Sequence, residues 1–270
     1  MKVLIFGSSG MLGYAVTNVL QRSGLDVSAL TRNDVNLARI SPDELEILFK
    51  SKNPQYVINC SGVIKPMIQK NSTEDVLKVN TLFPLTMAKI GTKLGVRTIH
   101  ITTDCVYSGR KGSYNELSPF DADDVYGISK LGGDHNDGMT LRTSIIGEEK
   151  GQGRSLLSWA MSQEGKEVNG FTNHKWNGVT TVTLAKVIQT IMEKDLYKNQ
   201  LYHIHSPDVL TKAELVQSMS NTYQLGLAVR SIEAKDFCDR SLSSIHGLTK
   251  NLVQKTIPDQ LNEMRSFFHM

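Results

Sequence analysis

A run of apolar residues, Val3 to Phe6, passes directly into Gly7-Ser8-Ser9-Gly10-Met11-Leu12-Gly13, and this junction narrows the folds open to the chain more than any other segment. A short apolar run closed by glycine reads as a buried strand, and the residues after Gly10 read as the opening of a helix. The Gly-x-x-Gly-x-x-Gly spacing lets backbone amides at the helix N-terminus approach a ligand, and a pyrophosphate is the anion that such a site accepts. A plain strand-to-helix turn has the same letters, so the neighbouring segments have to decide.

Those neighbours repeat the pattern. Strand candidates follow at Val27 to Leu30, Tyr56 to Asn59, Thr98 to Thr102 and Met139 to Arg142, with helical segments between them. Ser41-Pro42-Asp43-Glu44 joins a capping serine, a first-turn proline and a capping-box glutamate, and Ser72-Thr73-Glu74-Asp75 opens a longer helix expected to end near Gly95. Apolar strands alternating with helices predict an α/β fold of the Rossmann type, a doubly wound parallel sheet built from right-handed βαβ units.

After Ile146 the composition shifts. Gly147, Glu148-Glu149-Lys150, Gly151 and Gly153 read as a loop leaving the first sheet. Ser155 to Ser162 and the apolar face within Gly178 to Met192 read as helices, Leu201 to His205 as a strand, and Thr211-Lys212-Ala213-Glu214 as a capping box for a helix to about Tyr223. We expect residues 1–147 with about 178–205 to form a dinucleotide-binding domain, and about 148–177 with 206–270 a smaller mixed α/β substrate lobe.

Composition excludes more than it identifies. A net charge of +3 is too mild to call for nucleic acid. Cys60, Cys105 and Cys238 form no zinc or redox spacing, which fits reduced thiols. No stretch reaches the roughly 18 apolar residues of a membrane span. The expectation is a soluble, cytoplasmic protein with no nucleic-acid or membrane partner.

Three positions carry possible chemistry. The second strand ends Leu30-Thr31-Arg32-Asn33, with a cation where an acidic residue usually binds a ribose 2′-hydroxyl. Arg32 suits a 2′-phosphate and hence NADPH; Asp34 nearby keeps a ribose contact, and therefore NADH, open. Thr102-Thr103-Asp104 ends a strand on the side where open sheets bind ligands, although a Thr-Asp pair serves equally to cap a turn. Finally, Tyr126 and Lys130 stand four apart, so on a helix they share a face and the ammonium can lower the phenol's pKa. With 8 tyrosines such a spacing arises by chance, and it recurs at Tyr107 and Lys111 across a turn-like Ser108-Gly109. Gly132, Gly133 and Gly138 lie close behind Lys130, so the helix bearing the pair must be short.

His203 and His205 have strand spacing but no carboxylate or cysteine near them in sequence, so no metal site is expected. The segment Phe171 to Gly178 mixes aromatics, amides and cations, as either a sugar or phosphate contact or a structural loop.

Taken together, Ile58-Asn59-Cys60-Ser61-Gly62, Thr102 to Gly109, Gly112 to Glu116, Tyr126 to Asp134 and Arg142-Thr143-Ser144 resemble the extended short-chain dehydrogenase/reductases, and within them the dTDP-4-dehydrorhamnose reductase family. The resemblance is firm over residues 1–147 and thins beyond. It implies that Tyr126 donates a proton, Lys130 tunes it and holds the nicotinamide ribose, and Thr103 orients a carbonyl, with Asp104 and Ile145 near the sugar. It also implies that Gly10, Met11 and Leu12 meet the pyrophosphate, Asn36 and Leu37 the adenine, and Cys60, Ser61 and Gly62 the ribose side. Ile145 departs from a tryptophan of that family, and Cys105 and Tyr107 from a Tyr-Val-Phe pattern.

The implied function is NADPH-dependent reduction of a nucleotide-linked 4-keto-6-deoxy sugar, an oxidoreductase step in cell-surface polysaccharide biosynthesis. A homodimer is compatible with it. Two alternatives stand beside it: an epimerase or dehydratase with retained NAD, disfavoured because Cys105 stands where dehydratases carry Glu, and a non-catalytic NADP-binding regulatory subunit such as the relative that partners methionine adenosyltransferase.

Overall fold

The computed structural model describes residues 1–149 and 153–269. The first half runs β1 (Lys2–Phe6), α1 (Met11–Arg22), β2 (Asp26–Leu30), α2 (Pro42–Lys52), β3 (Tyr56–Asn59), α3 (Thr73–Leu77), α4 (Phe83–Leu94), β4 (Arg97–Thr103), α5 (Val125–Leu131) and β5 (Met139–Thr143). Then come β6 (Ile145–Ile146), α6 (Leu156–Ser162), β7 (Glu167–Phe171), β8 (His174–Trp176), β9 (Val179–Thr180), α7 (Thr181–Glu193), β10 (Leu201–His203), β11 (Leu210–Thr211), α8 (Lys212–Tyr223), β12 (Ala228–Ile232), β13 (Cys238–Asp239), α9 (Leu248–Leu252) and α10 (Ile257–His269).

Six parallel strands form the main sheet in the order β2-β1-β3-β4-β5-β10. The fold is thus the doubly wound parallel α/β class expected from the alternation. In β1, Val3 and Ile5 point into the layer beneath α1 and α7, whereas Leu4 and Phe6 pack under α2 and α4. A strand buried on both faces has no room for polar residues, hence its uninterrupted apolar run. The chain winds one way from β1 to β2 and the other way from β3 onward. At such a reversal a crevice opens beyond the strand C-termini, and here it lies between the ends of β1 and β3.

Local capping chemistry sets the helix starts. Ser41 and Glu44 exchange hydrogen bonds as a capping box at 3.2 and 2.8 Å, and Thr211 and Glu214 do so at 3.2 and 2.7 Å. The helical stretch from Thr73 closes at Gly95 in the left-handed conformation (φ +70°). Ahead of Pro84, which has no N–H to give, it widens into a π-turn over Lys78–Leu82 that carries the buried Asn80.

A second core forms among α6, α8, α10 and the short strands, built on Leu157, Leu215, Met219, Leu261 and Met264. Its strands pair as β7 with β12, β8 with β11 and β13, and β6 with β9. α10 touches both cores: Phe268 stacks on Tyr14 of α1 at 5.4 Å, and the Phe267 carbonyl accepts from Arg22 at 2.9 Å. Among the described residues no helix is long and apolar enough to cross a membrane.

Candidate active site

The crevice holds two joined compartments. One, of about 290 Å³, is lined by Gly7, Gly10, Thr31, Arg32, Asn36 and Leu37 among others. The other, of about 630 Å³, is walled by Met11, Leu12, Thr103, Asp104, Tyr126, Lys130 and Ile145. Gly10, Arg32, Cys60, Ser61 and Gly62 border both.

Backbone proximity explains the glycines. Gly7 adopts φ +80°, and its amide and that of Ser8 each donate to the Leu30 carbonyl at 3.0 Å, tying the loop to β2. A Cβ on Gly7 would stand 2.5 Å from Ser61 Oγ, and one on Gly13 would stand 2.0 Å from the Gly7 carbonyl oxygen. Gly10 is the N-cap of α1. No side chain caps that helix and no carboxylate sits in its first turn, so its partial positive end opens toward the cleft. This is a cradle that fits a dinucleotide pyrophosphate.

At the end of β2, Asp34 accepts from Thr31 N–H and Oγ at 2.8 and 2.7 Å through a single carboxylate oxygen, and these bonds hold its pKa down. Asp34 is therefore a turn-forming residue outside the cleft walls, whereas Arg32 borders both compartments. Asn36 Oδ1 caps the next turn by accepting from Ala38 N–H at 3.1 Å. Cys60 is no nucleophile, since burial pushes its thiol up to about 12.

α5 has only seven residues, as its glycines foreshadow, yet it is clamped at both ends and along its inner face. Asp124 caps it by accepting from Gly127 N–H at 2.7 Å and pairs with Lys65 at 2.6 Å. Gly127 lies so close to the turn after β4 that a Cβ there would meet the Cys105 carbonyl oxygen at 2.4 Å. At the other end a Cβ on Gly133 would meet the Asn80 carbonyl oxygen at 2.5 Å, so this glycine serves close packing and does not fray the helix. Asn80 completes the clamp: its amide donates to the Val63 carbonyl and to Ser129 Oγ, both at 3.0 Å, and its Oδ1 accepts from Val63 N–H at 2.8 Å.

On the face so fixed, Tyr126 reaches the Thr103 hydroxyl, but burial dominates and raises the phenol's pKa, with Cys105 and Asp104 adding to it. Lys130 is not among the main groups that shift it, contrary to the simple expectation of a cation lowering a phenol. Instead Lys130 Nζ donates to the Ile101 carbonyl at 3.0 Å, and burial pushes its ammonium down to about 8 against the pull of Asp134. Thr103 caps the turn after β4, accepting from Cys105 N–H at 3.2 Å, and it also lines the larger compartment. Asp104 is buried, its carboxyl pushed up by desolvation and held back mainly by Arg240.

The family described as RmlD substrate binding domain matches residues 1–250. The chain belongs to that family. The spore coat polysaccharide biosynthesis protein SpsK of Bacillus subtilis is 22% identical over 248 residues, spanning 89% of this chain and 86% of that protein. Methionine adenosyltransferase 2 subunit beta of Danio rerio is 26% identical over 83% of this chain and 74% of its own. Among solved structures, the dTDP-4-dehydrorhamnose reductase of Bacillus anthracis in complex with NADP shares the fold, with a TM-score of 0.84 at 19% identity and coverage of 100% of this chain and 99% of that one.

In this RmlD-family chain several residues with suggestive sequence spacing lie elsewhere. Tyr107 is fully buried, stacked on Tyr114 at 4.3 Å, while Lys111 is exposed. β10 ends at His203, so His205 lies outside the strand and the two do not share its alternation. His203 has both ring nitrogens in protein hydrogen bonds, Nδ1 to the Ser243 and Tyr114 carbonyls and Nε2 to Arg142. The segment Phe171 to Gly178 is built into the fold and carries the strand β8 where a loop was expected: Trp176 is buried, Asn173 is bonded both ways to Ala234 and Asn177 both ways to Leu242. Conversely, sequence reasoning misses Asn80 and Asp124, although Asp124 standing just before Val125-Tyr126 is an N-cap signal that the sequence does contain.

Proposed function

We propose that this chain is an NADPH-dependent reductase of a nucleotide-linked 4-keto-6-deoxy sugar, of the dTDP-4-dehydrorhamnose reductase type. The observation that carries this reading is one continuous crevice with Arg32 and an uncapped α1 at one end and Tyr126, Thr103 and Lys130 at the other. Residues 1–147 with about 178–205 serve as the cofactor-binding unit in this reading, and about 148–177 with 206–270 as the substrate lobe.

When bound, NADPH supplies hydride to the keto carbon. Gly7, Gly10 and Gly13 let backbone approach its pyrophosphate, with Met11 and Leu12 amides facing it; Arg32 and Thr31 take the 2′-phosphate; Asn36 and Leu37 flank the adenine; Cys60, Ser61 and Gly62 flank the ribose. Tyr126 holds its proton firmly, because its raised pKa keeps it a phenol at neutral pH, and releases it to the carbonyl oxygen as that oxygen becomes an alkoxide. Thr103 orients the same oxygen, Lys130 holds ribose hydroxyls with its charge, and Asp104 and Ile145 shape the sugar site. The product alcohol would feed cell-surface polysaccharide synthesis in the cytoplasm; a homodimer is part of the same reading.

The Danio rerio relative favours a second reading, a regulatory subunit that binds NADP without turnover. One assay separates them: NADPH oxidation by the purified protein against a panel of 4-keto-6-deoxy sugars linked to dTDP, UDP, GDP and CDP. The expected result is turnover with at least one, and with NADPH preferred over NADH. Cofactor binding without turnover of any sugar, together with co-purification of an enzyme, would establish the regulatory reading. Recovery of stoichiometric NAD would point to an epimerase or dehydratase, although Cys105, its thiol pushed up to about 12, offers no carboxylate at that position.

A further inference from the structure

Behind the crevice, Asp134 and Arg142 form an ion pair, 2.6 Å between Asp134 Oδ2 and Arg142 Nη2, with neither side chain exposed. Arg142 is anchored from its far side. Its Nη1 donates to the Tyr107 hydroxyl at 2.8 Å and to His203 Nε2 at 3.1 Å, and its guanidinium lies 4.8 Å from the Phe120 ring centroid. His203 accepts there because its Nδ1 faces two carbonyls, which assigns the proton to Nδ1. A permanent cation is thereby fixed beside the carboxylate.

Asp134 follows Lys130 by four residues, as Lys130 follows Tyr126. The coil continues past the end of α5 through Gly133 N–H to the Lys130 carbonyl and Asp134 N–H to the Leu131 carbonyl, both at 3.1 Å. The second carboxylate oxygen, Asp134 Oδ1, is buried, and the Thr102 side chain on β4 also helps to hold the carboxyl down. Burying such a pair is a poor source of stability, because desolvating two ions offsets their attraction. Its use lies next door.

We propose that Asp134, clamped by Arg142, is a positioning residue that keeps Lys130 charged beneath the crevice. This rests on the reductase reading, in which Lys130 works as an ammonium. The Ile101 carbonyl fixes where Nζ sits but brings no full negative charge. Tyr126 on the same helix is a phenol; His100 on β4 is held neutral by burial and by Lys130 itself; Cys60 on the crevice wall stays a thiol; and Arg142 is a cation. Asp134 is the one anion in that set. Burial pushes its carboxyl up, and Arg142 is the chief force holding it down.

The test follows Lys130 itself, through the ε-carbon resonance of full-length protein labelled with 13C-lysine, assigned by its loss in Lys130→Arg. Wild type should titrate near pH 8. Asp134→Asn should lower the midpoint by about one pH unit or more, a tenfold change in proton affinity. Asp134→Glu should return it toward wild type. Because the single change strands Arg142, the double variant Asp134→Asn/Arg142→Gln, which removes that stranded cation, keeps the question answerable if Asp134→Asn fails to fold; its midpoint should fall too. An unchanged midpoint in a folded variant, with only the melting temperature lowered, would show a merely structural pair. The resonance needs no turnover, so failure of the wild-type protein to oxidise NADPH would sink the reductase reading and leave this measurement standing.

Discussion

Tyr107 to Lys111 and Tyr126 to Lys130 have the same spacing and lie within one stretch of sequence, yet the fold treats them in opposite ways. In the first, the chain turns at Gly109 (φ +90°), so Tyr107 goes into the core and Lys111 out to solvent. The Tyr107 ring lies flat on Tyr114, at 7° between planes, and its hydroxyl donates to the Asn115 carbonyl at 3.1 Å. In the second, a helical turn capped by Asp124 brings both side chains to one crevice. Spacing becomes a shared face only where the backbone repeats regularly. Elsewhere the same two residue types are a core aromatic and a solvated amine.

The sharpest way to break this contrast is to remove one oxygen from each tyrosine. Tyr126→Phe should lower kcat by about 10² to 10⁴, the range for loss of a general acid, with its melting temperature close to wild type. Tyr107→Phe should do the reverse. It takes an acceptor from Arg142 and a donor from the Asn115 carbonyl, a cost of about 1 to 3 kcal/mol in stability, with kcat within a few-fold of wild type. Paired thermal melts and NADPH oxidation rates decide; comparable losses of turnover in both would collapse the distinction.

The same contrast shows what a sequence can reveal. The main-sheet strands and both capping boxes were legible because their signals are local: apolar runs, and a hydroxyl three residues from a glutamate. The crevice residues were legible because glycines at a strand end and a tyrosine near a lysine survive as short patterns. Asn80 was not, since its importance comes from bonding Val63 and Ser129 across the fold, and an asparagine within a helical pattern announces nothing. The pairing of β7 with β12 joins segments about sixty residues apart, and no local pattern states such a partner. Nor was the phenol's shift legible: the spacing invites a cation to lower it, but desolvation, which only packing reveals, dominates. Asp34 is similar, its carboxylate being drawn into a turn by Thr31.

A smaller effect separates the two lysines by pH. Lys130, pushed down to about 8, is mostly protonated at pH 7 and mostly neutral at pH 9, so turnover should drop about tenfold across that interval if the ammonium is the working form. Stability should move the other way. The folded group releases its proton near 8 and the unfolded one near the ordinary lysine value of 10.5, so between these values the unfolded chain holds more protons and stability rises with pH. Urea midpoints and kcat measured from pH 7 to 10, each compared with Lys130→Met, isolate the contribution. A kcat that stays flat to pH 10 while wild type remains folded would mean that Lys130 does not work as a cation.

The smallest expected effect is at Lys111. Its side chain is exposed, and its backbone N–H donates to the Tyr114 hydroxyl at 3.1 Å. Lys111→Met keeps that donor, so stability should stay within about 0.5 kcal/mol of wild type and kcat within about twofold. Urea unfolding and the NADPH assay would check both. A large loss of turnover here would mean that the segment from Tyr107 to Lys111 reaches the substrate in a conformation other than this one, and that the turn at Gly109 opens during the cycle. No change, set beside a collapse in Lys130→Met, would attribute the function of an identical spacing wholly to the seven-residue helix that carries one copy and not the other.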